Sequence, residues 1–188
     1  MKYGTLRKIE IDGTKIDAEY IGRRMFCRAY RVDSTVYLLC RGDYSKECVA
    51  LFCDTSLRHI PTIKRHETWG DYHVYSMPFY AKLTKAKYPV AWRMWKTLPP
   101  SLLGFDKANE LIDSEKIPKS IRIALRNLVD AYANYASDSM LLEFNRANVG
   151  VEEKSGSLIL RDCLADISSV NKIRKEQRDK REKRGLYD

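Results

Sequence analysis

The chain has 188 residues, 44% hydrophobic and 31% charged, which suits one domain with its own core and argues against disorder. Its net charge is +9, and no apolar run approaches the roughly 20 residues that a membrane span needs. The start, Met1-Lys2-Tyr3-Gly4-Thr5-Leu6-Arg7, has no apolar stretch of the kind a secretory signal carries, so none is expected.

The first third of the chain alternates in period two. Arg7, Ile9 and Ile11 fall on one face of a strand, and Leu6, Lys8 and Glu10 on the other. Asp12-Gly13 is a two-residue hairpin signal, because both positions tolerate positive φ. A second strand is predicted over 14–21, a turn at Gly22-Arg23-Arg24, and further strands over 25–32 and 35–41 around Asp33-Ser34. Tyr44, Cys48, Leu51 and Phe52 then recur at helical spacing, with Asp43 or Ser45 as N-cap, which predicts a helix over about 43–55. Strands over 62–67 and 72–77 follow, joined by Trp69-Gly70-Asp71 and ended by Pro78.

Beyond residue 78 helices dominate. They are predicted over 90–98, closed by Pro99-Pro100, over 103–112, and from Pro118 to about Ser137-Asp138. The last of these carries Ile121, Leu125, Leu128, Val129 and Tyr132 on one stripe. Short strands at 149–151 and 158–160 flank the turn Lys154-Ser155-Gly156. The tail 171–188 holds eight Lys or Arg against four acids and reads as a basic helix. It could bind nucleic acid or an acidic protein face, or lie in solvent with its charges paired at i,i+3 and i,i+4. The order of elements is α+β, a sheet lobe followed by a helical lobe.

Five cysteines, Cys27, Cys40, Cys48, Cys53 and Cys163, include no CxxC pair. An odd number without a secretory signal predicts reduced thiols in a cytosol. His59, His66 and His73 stand seven residues apart, a spacing that does not gather metal ligands on strands. Trp92 and Trp95, with Arg93 and Lys96, form a basic-aromatic cluster that suits either stacking on bases or packing of both indoles in a core.

Two segments carry a family resemblance. Glu143-Phe144-Asn145-Arg146-Ala147-Asn148-Val149-Gly150-Val151 resembles the small-kinase pattern Asp-x-His-x-x-Asn followed by a strand. Ser157-Leu158-Ile159-Leu160-Arg161-Asp162 resembles the next strand with its terminal Asp. With the order of elements, they make the chain similar to the protein-kinase superfamily, in particular to the early serine/threonine protein kinase of autographivirus bacteriophages, over roughly residues 20–170. The resemblance implies one kinase-like domain over 1–170. It comprises an antiparallel β lobe with one helix (1–78), a truncated helical lobe (79–170) and the basic helical tail 171–188.

It also implies roles. Asn148 and Asp162 would hold Mg²⁺, and Glu143 stands at the position of the base, where the family has Asp. One extra methylene shifts that carboxylate by about 1 Å, a displacement that can cost about 10²-fold. Glu47 matches the helix Glu that pairs with a phosphate-binding Lys, Gly22 keeps one glycine of the phosphate loop, and Met77 opens the hinge Met77-Pro78-Phe79. Leu38 stands where that Lys belongs, leaving Lys15 or Arg41 to substitute. After Asp162 no Ala-Pro-Glu element follows, hence no platform for a peptide substrate. Asp162 as a turn residue, Asn148 as a loop cap and Glu47 as a solvated helix charge remain open alternatives.

The functions implied are a degenerate kinase of phage origin in the host cytoplasm, binding a host protein of the transcription or defence machinery, or an active ATP- and Mg²⁺-dependent serine/threonine kinase. A nucleic-acid binder using 171–188 is a third reading. No membrane partner is expected.

Overall fold

The computed structural model describes residues 2–24, 26–42, 44–100, 102–135 and 140–182. A six-stranded antiparallel sheet forms the first half, built from β1 (Leu6–Ile11), β2 (Thr14–Arg23), β3 (Cys27–Val32), β4 (Thr35–Cys40), β5 (Lys64–Arg65) and β6 (His73–Pro78). Its strand order is β1-β2-β3-β4-β6-β5. Asp12 and Gly13 both take positive φ, 49° and 74°, as the turn between β1 and β2 requires. Helix α1 (Tyr44–Phe52) follows β4. Asp43, one of the two expected caps, lies outside the described residues.

The second half contains α2 (Pro89–Lys96), α3 (Phe105–Asp113) and α4 (Lys119–Tyr135), then β7 (Met140–Leu142), β8 (Gly150–Glu152), β9 (Ser157–Ile159), β10 (Leu164–Asp166) and α5 (Ile167–Glu182). The α4 stripe is buried throughout: Ile121, Leu125, Leu128, Val129 and Tyr132 are at most 1% exposed. Each such side chain contributes about 1.5–3 kcal/mol, so packing rather than propensity fixes this helix. The expected end of α4 at Ser137-Asp138 lies outside the described residues. Among the described residues no helix is long and apolar enough to cross a membrane.

The structure is mixed α+β, with the sheet and its first helix preceding the helical part. The strand expected over 62–67 shrinks to Lys64–Arg65. The β7–β10 pairing was not expected, and α5 begins at Ile167 rather than 171. One face of the sheet shares a continuous apolar interior with α1, α3, α4 and the short strands. Val36, Leu38 and Tyr75 belong to it together with Leu125, Phe144 and Leu158. The opposite face carries a smaller cluster of Ile9, Ile11, Ala18, Tyr20, Tyr30, Leu39 and Val74.

Five free thiols were expected, but Cys27 and Cys40 are bridged. The β3–β4 register sets the two directly opposite each other, a cross-strand relation that a search for local cysteine pairs does not see. Cys48, Cys53 and Cys163 are free, and burial raises all three pKa values, those of Cys48 and Cys53 to about 12. They therefore behave as small hydrophobes. Closing a loop of this length stabilises by about 2–3 kcal/mol. Urea unfolding with and without dithiothreitol should show a loss of that order on reduction, and the Cys27→Ser/Cys40→Ser variant should match the reduced protein.

Among the described residues, the three histidines take part in no group of three or more His, Cys, Asp or Glu that could hold a metal ion. His66 Nδ1 and Nε2 meet Asp12 at 2.7 Å and Ser76 at 2.7 Å. His59, fully buried at φ 82°, donates from Nδ1 to the Leu158 carbonyl at 2.6 Å, while Nε2 accepts from the Ser120 hydroxyl at 3.0 Å. Desolvation lowers its pKa below the ordinary 6.5, and the Leu158 carbonyl only partly offsets this. The unfolded chain thus binds this proton first on acidification, so the stability His59 contributes is complete above about pH 6.5 and declines below it. Nitrogen NMR should find this imidazole titrating below the ordinary histidine range, and the melting temperature should fall as the pH drops below about 6.5.

Candidate functional site

Between the sheet and the helical half lies a cleft of about 740 Å³, within the range of small-molecule sites. Its roof is the inner sheet face, where Ala29, Val36, Leu38 and Met77 present apolar side chains. Its floor carries Glu143, Asn148 and Asp162. The residues that sequence spacing singled out on the floor therefore share one cavity.

Short hydrogen bonds build the floor. The Glu143 amide donates to the Cys163 carbonyl at 2.9 Å and the Asp162 amide to the Asn148 carbonyl at 2.8 Å, which clamps the two segments side by side. Asn145 Oδ1 accepts from the amides of Ala147 and Asn148 at 2.8 and 3.1 Å, which turns the chain. Asn145 and Asn148 then donate from their side-chain amides to Glu143, at 2.7 Å to Oε1 and 2.9 Å to Oε2. Both carboxylate oxygens are thus oriented by amides. Phe144, between them, is 1% exposed, and its carbonyl accepts the Trp95 indole N–H at 2.6 Å. The tryptophans therefore pack rather than stand free. Both lie against the core, their rings 5.0 Å apart.

At the roof's edge Gly22 lines the cleft at a β-bulge, with φ 147°, a conformation that glycine alone adopts readily. Arg23 and Arg24 follow it into the cleft. Met77 is 7% exposed at the end of β6. Beyond it the Phe79 amide donates to Ser34 at 2.7 Å, and Ala81 exchanges two backbone bonds with Val151. The connection comes so close to β8 that a Cβ on Gly150 would lie 2.6 Å from Tyr80 Cβ.

Glu47 is the residue that the structure moves elsewhere. It does not line the cleft: Oε1 takes Arg65 Nη1 at 2.7 Å and Oε2 accepts the Tyr135 hydroxyl at 2.8 Å, so it ties α1 to β5 and α4. Successive helix positions are turned about 100° apart, and it is Lys46 that faces the cleft. Its side chain is 5% exposed, and Nζ is paired with the Asp162 carboxylate and lies 3.3 Å from Ser45 Oγ. The expected substitutes lie apart from this position. Arg41 pairs with Asp71 at 3.0 Å over the Tyr72 ring, and Lys15 stands opposite Glu10 at the β1–β2 turn. Lys46 was absent from the sequence reading; the available signal was a lysine beside Glu47 on a helix whose inward face includes Ser45 and Cys48.

Arg161 completes the charge set. Its Nη2 donates to the Ala147 carbonyl at 2.6 Å, and burial, opposed by Asp162 and helped by nearby Arg24, lowers its pKa. Among the described residues, the charged ones lining the cleft are Arg23, Arg24, Lys46 and Arg161 against Glu143 and Asp162, a surplus of two positive charges. The described residues contain no cluster of three or more His, Cys, Asp or Glu that would hold a metal alone. Asn148 and Asp162 nevertheless offer the hard oxygen donors that suit Mg²⁺, an ion commonly held by one or two carboxylates together with substrate phosphates. On α5, Lys172, Lys175 and Arg178 are exposed, while Ile167 and Asn171 at its start line the cleft.

No family model, curated protein or solved structure matches the chain.

Proposed function

We propose that this chain is a protein-kinase-like protein, akin to the early serine/threonine kinases of autographivirus phages, whose cleft binds a nucleoside triphosphate with Mg²⁺. The observation that carries this reading is the meeting of Glu143, Asn148 and Asp162 on one floor beneath an apolar sheet roof. Ala29, Val36, Leu38 and Met77 form a dry surface for a flat base, with the 77–81 connection at its back. Arg23 and Arg24 face the phosphates. The surplus of two positive charges complements a triphosphate carrying one Mg²⁺. Asn148 and Asp162 would hold the metal, whose chemistry there is to neutralise charge on the phosphates.

Glu143 then serves as the base. It takes the proton of a protein hydroxyl as that oxygen bonds to the terminal phosphorus and the bond to the diphosphate breaks. Standing Glu for Asp costs about 10²-fold, small beside the 10⁶-fold or more that enzymes commonly supply.

A second reading, a nucleotide-binding module that engages a host protein without transfer, is favoured by the short path from Asp162 through β10 directly into α5. It leaves little chain for a peptide platform.

Thermal denaturation with ATP and Mg²⁺, paired with labelled ATP and host lysate, tests both. Stabilisation by bound nucleotide with label transfer that requires Glu143 and Asp162 supports the kinase. Stabilisation without transfer supports the binding module. No stabilisation at millimolar nucleotide overturns nucleotide binding.

A further inference from the structure

We propose that Lys46 supplies the phosphate contact that β4 lacks, and that the same side chain occupies the metal side of Asp162 until a nucleotide draws it away. This rests on the nucleotide-binding reading above. Leu38 gives the roof no cation on β4, and the surrounding Ala29, Val36 and Met77 give none either. Lys46 is the lysine lining the cleft, and it enters from the helix side.

Its burial needs a reason. The side chain is 5% exposed while its partner carboxylate is 37% exposed. Taking an ammonium out of water seldom yields net stability even when it is paired, so the pair with Asp162 is better understood as a charge held ready for use. Asp162 is also the carboxylate that would bind Mg²⁺. Lys46 and a divalent ion compete for the same oxygens, since two cations repel each other at contact distance. A triphosphate resolves the competition: its oxygens accept the ammonium, and Asp162 is released to the metal. Lys46 therefore favours the metal–nucleotide complex over the bare metal ion.

The consequence is a pair of effects of opposite sign. In Lys46→Met the affinity for ATP with Mg²⁺, measured by calorimetry on the full chain, should fall at least tenfold. The affinity for Mn²⁺ alone, measured by electron paramagnetic resonance, should rise at least threefold because Asp162 is no longer neutralised. Lys46→Gln, which keeps a donor toward Asp162, replaces Lys46→Met if circular dichroism shows the latter less folded, with the same expectations. If the wild type binds ATP and the variant binds it equally well, or if Mn²⁺ binding fails to rise, the role of Lys46 is overturned while nucleotide binding stands. If the wild type itself binds no ATP, the reading of the cleft falls first.

Discussion

Phe144→Ala lowers the unfolding free energy by about 4 kcal/mol, the cost of emptying a site filled by a wholly buried aromatic ring. Phe144 is 1% exposed and belongs to the interior shared by the sheet and the helical half. Its loss differs from an ordinary core deletion because its neighbours in sequence are Glu143 and Asn145. Those residues owe their position to a ring pointing inward and a carbonyl held by Trp95. Urea unfolding should therefore show the stability loss, and, if the cleft binds nucleotide as proposed, calorimetry should show that binding weakened even at temperatures where the variant is fully folded. Phe144→Leu, which refills most of the volume, should recover much of both. A variant as stable as the parent would mean that this ring does not anchor the floor.

Asp162→Ala is expected to lose about 2–3 kcal/mol, because it takes a carboxylate partner from the buried Lys46 ammonium, whose side chain is 5% exposed. The half-open position of Asp162, 37% exposed, places the loss at the lower end for buried pairs, since water screens part of the interaction. The informative comparison is the double variant Lys46→Met/Asp162→Ala. Removing both charges also removes the buried ammonium that has lost this carboxylate, so the double variant should be more stable than Asp162→Ala alone. The coupling between the two sites should reach at least about 1 kcal/mol, as for residues in direct contact. Additive losses would show that the pair does not interact in solution. Should the cleft bind nucleotide as proposed, the Mg²⁺-dependent part of that binding should vanish in both variants that lack Asp162.

What the sequence disclosed and what it hid divide along a physical line. Asp12-Gly13, Pro118 and the α4 stripe act through their immediate neighbours, and each element they predicted is present within a few residues of its expected limits. The floor was readable for a related reason. Glu143, Asn145 and Asn148 lie within six residues, so a local pattern fixes most of their geometry. Cys27 with Cys40, β7 with β10 and Lys46 with Asp162 were hidden, because each depends on register or helix rotation set by distant packing. The sequence separation of 116 between Lys46 and Asp162 leaves no local trace of their meeting. Glu47 misled for the same reason, since a resemblance in sequence fixes a place along a helix but not which side of it faces the ligand.

The apolar interior runs without a break from β3, β4 and β6 through the 77–81 connection to α4 and the short strands. Two halves fused in this way cannot swing apart like jaws without exposing their shared centre. Ile167 and Asn171 at the start of α5 line the cleft, so any shift of that helix end would reshape the cavity.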